Sequence, residues 1–130
     1  MYKRQSYIQQ APPDFDKARN AFQKVINDTR GARTPTAGKC QLLIGETWLN
    51  QEQYATALKE YQKAYFNKAY SKETRSIGLF QAAGCEVQLQ RFADARRDYE
   101  ELIRDFPNSR YAADARKRLE RLRAESGAGL

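Results

Sequence analysis

The chain has 130 residues, which is enough for one domain or a short stack of repeats and too few for two independent cores. Its 23 Lys and Arg residues outnumber its 16 Asp and Glu residues, so the net charge is +7, and histidine is absent. Without histidine the chain lacks the commonest general base and the commonest metal ligand. Its seven glycines form no phosphate-binding loop. We therefore expect a protein that is not an enzyme, with no cofactor, no metal site and no small-molecule substrate.

The first predicted helix covers about residues 14–30. Asp14 follows two prolines and is the expected N-cap, and Gly31 is the expected C-cap. Its apolar residues are spaced by three, four and three positions, which places them on one face of a helix. They are Phe15, Ala18, Phe22 and Val25. Residues 1–13 are too short for a full partner helix and are expected to form an irregular or truncated cap.

The next two predicted helices, about 38–51 and 53–68, form a hairpin after a loop at 31–38. The first carries Cys40, Ile44, Gly45 and Trp48 on one stripe. The second repeats the spacing of the opening helix. It does so with Tyr54, Ala57, Tyr61 and Ala64. The short polar connection between the two helices predicts an antiparallel arrangement.

The pattern returns in the predicted helices 72–90 and 92–105. Phe92, Ala95, Tyr99 and Leu102 repeat the aromatic and alanine spacing, and the alanines of successive copies are 39 and 38 residues apart. Gly84 lies 39 residues after Gly45. A glycine inside a helix costs about 1 kcal/mol relative to alanine. Its recurrence at one phase predicts helix crossings that have no space for a Cβ atom.

A last helix is predicted at about 109–125, after a stop at Pro107, and residues 126–130 are expected to be a flexible tail. The two cysteines, Cys40 and Cys85, each lie in an apolar helical stretch and are expected to behave as small buried hydrophobic groups. Residues 14–125 are thus predicted to form one repeat domain. Its fold class is all-α, with antiparallel helical hairpins stacked as a short right-handed solenoid.

These residues resemble the tetratricopeptide-repeat (TPR) family. Ile44-Gly45 with Trp48, and Ala83-Gly84 with Val87, resemble the first helix of that repeat, and the alanine and aromatic positions that follow resemble its second helix. The segment from Tyr99 to Ala115 is similar to repeats of bacterial envelope proteins such as the Tol–Pal-associated periplasmic coordinator and the lipoprotein of the outer-membrane assembly machine. The resemblance implies a non-catalytic adaptor that binds another protein.

In such arrays the first helix of each hairpin lines the concave face, where partners bind. The resemblance implies a groove there for a helix or an extended peptide. The predicted partner-binding residues are Leu42, Glu46, Leu49, Asn50, Gln81, Cys85, Gln88 and Leu89. The alternative for Leu42 and Leu49 is that residues 1–11 fold back over them and bury them as ordinary core.

Two other functions stay open from the sequence. A basic surface that binds nucleic acid or another anionic polymer would use Lys59, Lys63, Arg116, Lys117, Arg118 and Arg121. Self-assembly into a homo-oligomer would use the exposed repeat end near residue 14. The resemblance favours a periplasmic or envelope location. The sequence begins without the apolar segment of a secretory signal, which leaves a cytoplasmic location open.

Overall fold

A computed structural model of the protein describes residues 14–28 and 34–129, and those residues form six helices without a strand. Each helix packs against the next along the chain, and α2 also packs against α4. This arrangement confirms the all-α helical-repeat fold. The expected cap at 1–13, Gly31 and Leu130 lie outside the described residues. The helices are α1 Phe15–Asn27, α2 Pro35–Asn50, α3 Tyr54–Phe66, α4 Lys72–Gln88, α5 Phe92–Asp105 and α6 Ala112–Gly129.

Side-chain caps fix the start of three helices. The Asp14 carboxylate accepts a hydrogen bond from the backbone N–H of Lys17 at 2.9 Å, as the sequence predicts. The Thr34 side chain caps α2 in the same way, with Pro35 in the first turn. The helix therefore begins at Pro35, within the segment for which the sequence suggested a loop. Ser71 caps α4 through the backbone N–H of Thr74.

The ends of the helices also differ from the sequence-based boundaries. α1 ends at Asn27, with Asp28 as its C-cap, so it is shorter than the segment to residue 30. α6 begins at Ala112 because Ser109 first forms a turn, in which its hydroxyl accepts from the backbone N–H of Tyr111 at 3.1 Å. α6 then continues to Gly129, beyond residue 125.

The two helical hairpins, α2–α3 and α4–α5, close with the same backbone turn. The backbone N–H of Gln53 donates to the carbonyl of Trp48 at 2.9 Å, and that of Arg91 donates to the carbonyl of Glu86 at 2.8 Å. The residue before each donor has a positive φ, 57° at Glu52 and 62° at Gln90. This is the left-handed helix ending, and it is formed here without glycine.

α4 lies between two apolar clusters. On one side its Ala82 and Cys85 pack with residues of α3, and on the other its Leu79, Phe80 and Ala83 pack with α5 and α6. The largest buried side chains are Tyr61 of α3 and Tyr99 of α5, the repeated aromatics of the sequence pattern. The first position of the pattern is less well buried than the others, since Phe92 is 42% exposed.

The two repeated glycines play different roles. A Cβ atom at Gly45 would lie 2.7 Å from the Tyr61 ring, so the predicted close crossing is confirmed there. At Gly84 the nearest atom would be a terminal nitrogen of Arg118 at 3.7 Å, so the crossing predicted at this position is wrong. The second close approach is instead at Gly78, where a Cβ atom would lie 2.8 Å from the backbone oxygen of Tyr61.

Candidate partner-binding surface

The leucines of the predicted groove are part of the packing of the fold. Leu42, Leu49 and Leu89 are half-buried, and all three lie against the cluster that contains Tyr61 and Cys85. Each leucine contacts the core and keeps some exposed surface among the described residues. The expected cover by residues 1–11 lies outside them. Replacing any of the three leucines with a charged residue would disturb the fold as well as a binding surface.

Cys85 does not belong to an accessible surface, which corrects its sequence-based assignment to the partner-binding set. Its side chain is only 1% exposed, because it points into the cluster between α3 and α4. Burial raises the pKa of its thiol to about 11, and burial also raises the pKa of Cys40. Both cysteines are free and buried, as the apolar surroundings in the sequence predicted.

Four polar members of the predicted set reach solvent to different degrees. Glu46, Asn50 and Gln88 are exposed, and Gln81 is half-buried. Glu46 and Asn50 lie on α2 and Gln81 and Gln88 on α4, two helices that pack against each other.

Gln88 lines a groove between α4 and α6 with a volume of about 340 Å³. We call this the α4–α6 groove. The missing Cβ atom of Gly84 leaves space along one wall. Its lining residues are Gly84, Val87, Gln88, Tyr99, Arg118, Arg121, Leu122 and Glu125. The structure thus brings a predicted partner-binding residue together with two residues that the sequence assigned to a separate basic surface.

Arg118 is held in place within this groove. Its guanidinium lies 4.5 Å from the centre of the Phe80 ring, and its Nη1 donates to the Tyr99 hydroxyl at 3.3 Å. A cation over an aromatic face is stabilised by the negative face of the ring. The positive charge of Arg118 is consequently positioned before any ligand arrives, and both Arg118 and Arg121 are exposed to solvent.

The remaining basic residues do not form one patch. Lys59 and Lys63 lie on α3, separated from α6 by α4 and α5 in the stack, and Lys63 pairs with Glu60 at 3.1 Å. Arg116 and Lys117 are exposed on α6 but do not line the groove. The sequence-based set of six basic residues is therefore spread over at least two surfaces.

Glu125, Leu122 and Val87 line the groove and were not assigned to a binding surface from the sequence. A signal was available, since Arg118, Arg121 and Glu125 are spaced by three and four residues and so share one face of α6. It could be recognised only once the packing showed that this face borders Gly84.

The described residues contain no cluster of three or more metal-ligating side chains. Among the helices of residues 14–28 and 34–129, none has both the length and the apolar character required to cross a bilayer.

The comparisons with known proteins give one positive result. The family model described as "YfiO: Outer membrane lipoprotein" matches residues 55–126, which is more than half of the chain. The matched segment contains every residue of the α4–α6 groove and leaves out α1 and α2. Neither the search of curated proteins nor the search of solved structures gives a significant match.

Proposed function

Because the chain belongs to the YfiO family of outer membrane lipoproteins, we propose that it is a non-catalytic adaptor of the bacterial cell envelope that binds a partner protein in the α4–α6 groove. The observation that supports this proposal is that Gln88, Arg118 and Arg121 line one groove beside Gly84. All the residues that line the groove lie within the segment that matches the family model. The proposed binding surface therefore belongs to the part of the chain that is similar to the family.

The chemistry of the groove favours a partner segment that carries a carboxylate. Arg118 is fixed by the Phe80 ring and the Tyr99 hydroxyl, so little side-chain entropy is lost when an anion pairs with it. A guanidinium also binds a carboxylate with two parallel hydrogen bonds. Val87 and Leu122 supply the apolar lining for the neighbouring side chain of that segment.

The exposed parts of Leu42 and Leu49 extend the proposed surface along α2. Because α2 packs against α4, a helix or extended peptide in the α4–α6 groove could continue over these leucines and past Glu46. Their share in binding is secondary, since much of each leucine is already covered by the core.

The test is affinity capture of partners from bacterial envelope extracts with Arg121→Glu and with Arg116→Glu. Both arginines are exposed on α6 and both variants change the charge equally, but only Arg121 lines the groove. We expect Arg121→Glu to reduce the retained partner about tenfold, the usual effect of losing a charge-assisted hydrogen bond, and Arg116→Glu to retain it. Equal loss in both variants would contradict a specific groove.

The two other functions predict different outcomes of the same capture. Binding to nucleic acid or another anionic polymer predicts that nuclease or high salt releases the captured material and that both variants weaken it. Self-assembly through the α1 end predicts a mass that rises with concentration in light scattering, unaffected by Arg121→Glu. Fractionation of cells that express the natural full-length protein tests the proposed periplasmic or envelope location.

A further inference from the structure

A second pocket lies on another side of α4, between α3 and α5, and is separate from the α4–α6 groove. Leu79 and Ala82 of α4 form part of its lining, and its volume is about 200 Å³. We call it the α3–α5 pocket. The other lining residues are Gln62, Tyr65 and Phe66 of α3, Glu86 of α4, and Arg97, Asp98 and Glu101 of α5.

Glu86 is the unusual member of this pocket. It is 4% exposed, and its Oε1 has no hydrogen-bond partner among the described residues. Burying a carboxylate oxygen without a partner is costly, so such an atom in a packed fold calls for an explanation. The pKa of Glu86 is raised to about 9, chiefly by burial and then by a side-chain hydrogen bond with Asp98 and the negative charges of Asp98 and Asp94, whereas Arg97 lowers it.

The rim of the pocket is apolar and aromatic on the α3 side. Phe66 is the most exposed large hydrophobic residue of the described chain, at 67%, and its ring centre is 5.0 Å from that of Tyr65. Three carboxyl groups, on Glu86, Asp98 and Glu101, line the same pocket, together with the single cation of Arg97. Arg97 is already paired with Asp94 at 2.7 Å.

We propose that the α3–α5 pocket binds an arginine side chain of a partner protein. Its guanidinium pairs with Asp98 and with Glu86, which releases its proton to solvent on binding, while a neighbouring apolar residue covers Phe66. A guanidinium suits this lining because it pairs with carboxylates in a plane and stacks on aromatic rings. The volume is below the roughly 300–1,000 Å³ of small-molecule sites, which favours a single side chain. A metal ion is disfavoured, since the described residues hold no cluster of metal ligands.

This inference does not depend on the α4–α6 groove, and its test needs no captured partner. The probe is N-acetyl-arginine amide, with N-acetyl-citrulline amide as a neutral control of nearly the same shape. Titration of the ¹⁵N-labelled chain is followed by NMR at the backbone amides of Gln62, Phe66 and Glu101. We expect saturable shifts confined to the pocket with the arginine probe and none with citrulline. Equal shifts with both probes, or shifts spread over the surface, would overturn the proposal.

Two variants and a second readout separate binding from a structural role. We expect Glu86→Gln to weaken binding of the arginine probe about tenfold, because glutamine cannot release a proton to form the charge-assisted hydrogen bond with the guanidinium. Glu120→Gln, the same substitution at an exposed position outside the pocket, should leave binding unchanged. In the wild type the probe should lower the pKa of Glu86, read from its side-chain ¹³C shift, by about one unit or more. Unchanged binding in Glu86→Gln, or an unchanged pKa, would contradict the proposal.

Discussion

The hairpins α2–α3 and α4–α5 close with the same backbone turn but differ at two pairs of equivalent positions, in the surroundings of a glycine and in the identity of a buried polar residue. Gly45 and Gly84 are equivalent, as are Thr47 and Glu86, each pair being 39 residues apart. In the first hairpin the glycine lies against the Tyr61 ring, and the Thr47 hydroxyl donates to the carbonyl of Ile44 at 2.6 Å. In the second hairpin the glycine borders an open groove, and Glu86 is buried with an unpaired oxygen.

This difference distinguishes the positions that build the stack from those that form the two proposed sites. The shared positions, the aromatic–alanine pattern and the tight turns, build the stack, and both hairpins need them. The positions that depart from the shared pattern in the second hairpin leave a groove and a pocket on two sides of α4. Both proposed sites therefore lie in the second hairpin and its neighbours.

The largest effect should come from removing a shared aromatic. Tyr61→Ala and Tyr99→Ala each delete a fully buried ring and should lower the free energy of unfolding by about 3–5 kcal/mol. Because each hairpin stabilises its neighbour, we expect one cooperative transition at a lower midpoint in thermal unfolding followed by circular dichroism. Two separate transitions would show that the hairpins fold independently.

Glu86→Gln and Thr47→Val should differ in their dependence on pH. Folded Glu86 keeps its proton up to about pH 9, whereas the unfolded side chain releases it at the ordinary value of 4.5. Raising the pH through this window therefore favours the unfolded state, by up to about 1.4 kcal/mol per unit. Glu86→Gln removes this pH-dependent loss of stability. It should raise the free energy of unfolding by about 2–3 kcal/mol at pH 8 and very little at pH 4.

Thr47→Val is the matched change in the first hairpin, since it removes the hydroxyl that bonds the Ile44 carbonyl. We expect it to cost about 1 kcal/mol at every pH. Urea unfolding at pH 4, 6 and 8 measures both variants. A stability gain in Glu86→Gln that does not grow with pH would contradict the protonated state of Glu86.

The two glycine variants should have opposite signs. Gly45→Ala would force the Tyr61 ring to move and should cost about 1–3 kcal/mol. Gly84→Ala meets only an ordinary contact with Arg118 and should stabilise the protein by up to about 1 kcal/mol, because alanine is the better helix former. The melting temperatures of the two variants measure this difference in stability. Destabilisation by both variants would mean that the second crossing is as tight as the first.

The fold followed from the sequence because periodic apolar residues identify helices without knowledge of their neighbours. Ala57, Tyr61, Ala95 and Tyr99 are buried as their spacing predicted. The exact helix starts were harder to predict from the sequence, since the turn at Ser109 and the cap at Thr34 depend on individual hydrogen bonds.

The candidate site was harder to derive. Cys85 shares a helix stripe with exposed residues, and only its contact with α3 shows that it is buried. Gln88 of α4 lines the same groove as Arg118 and Arg121 of α6, although they are 30 residues or more apart in the sequence. Helical periodicity cannot predict a contact over that distance. Glu86 carries no distinctive motif, and its burial depends on the packing of three helices.

The most direct test of the central claim is photo-cross-linking from the α4–α6 groove in bacteria that express the chain. A photoreactive residue is placed at Gln88, inside the groove, or at Glu120, which is exposed on α6 outside it. The account predicts one discrete protein adduct at Gln88, insensitive to nuclease and lost in Arg121→Glu, with no adduct at Glu120. The same adduct at both positions, or adducts at Glu120 alone, would contradict the groove as the partner-binding surface.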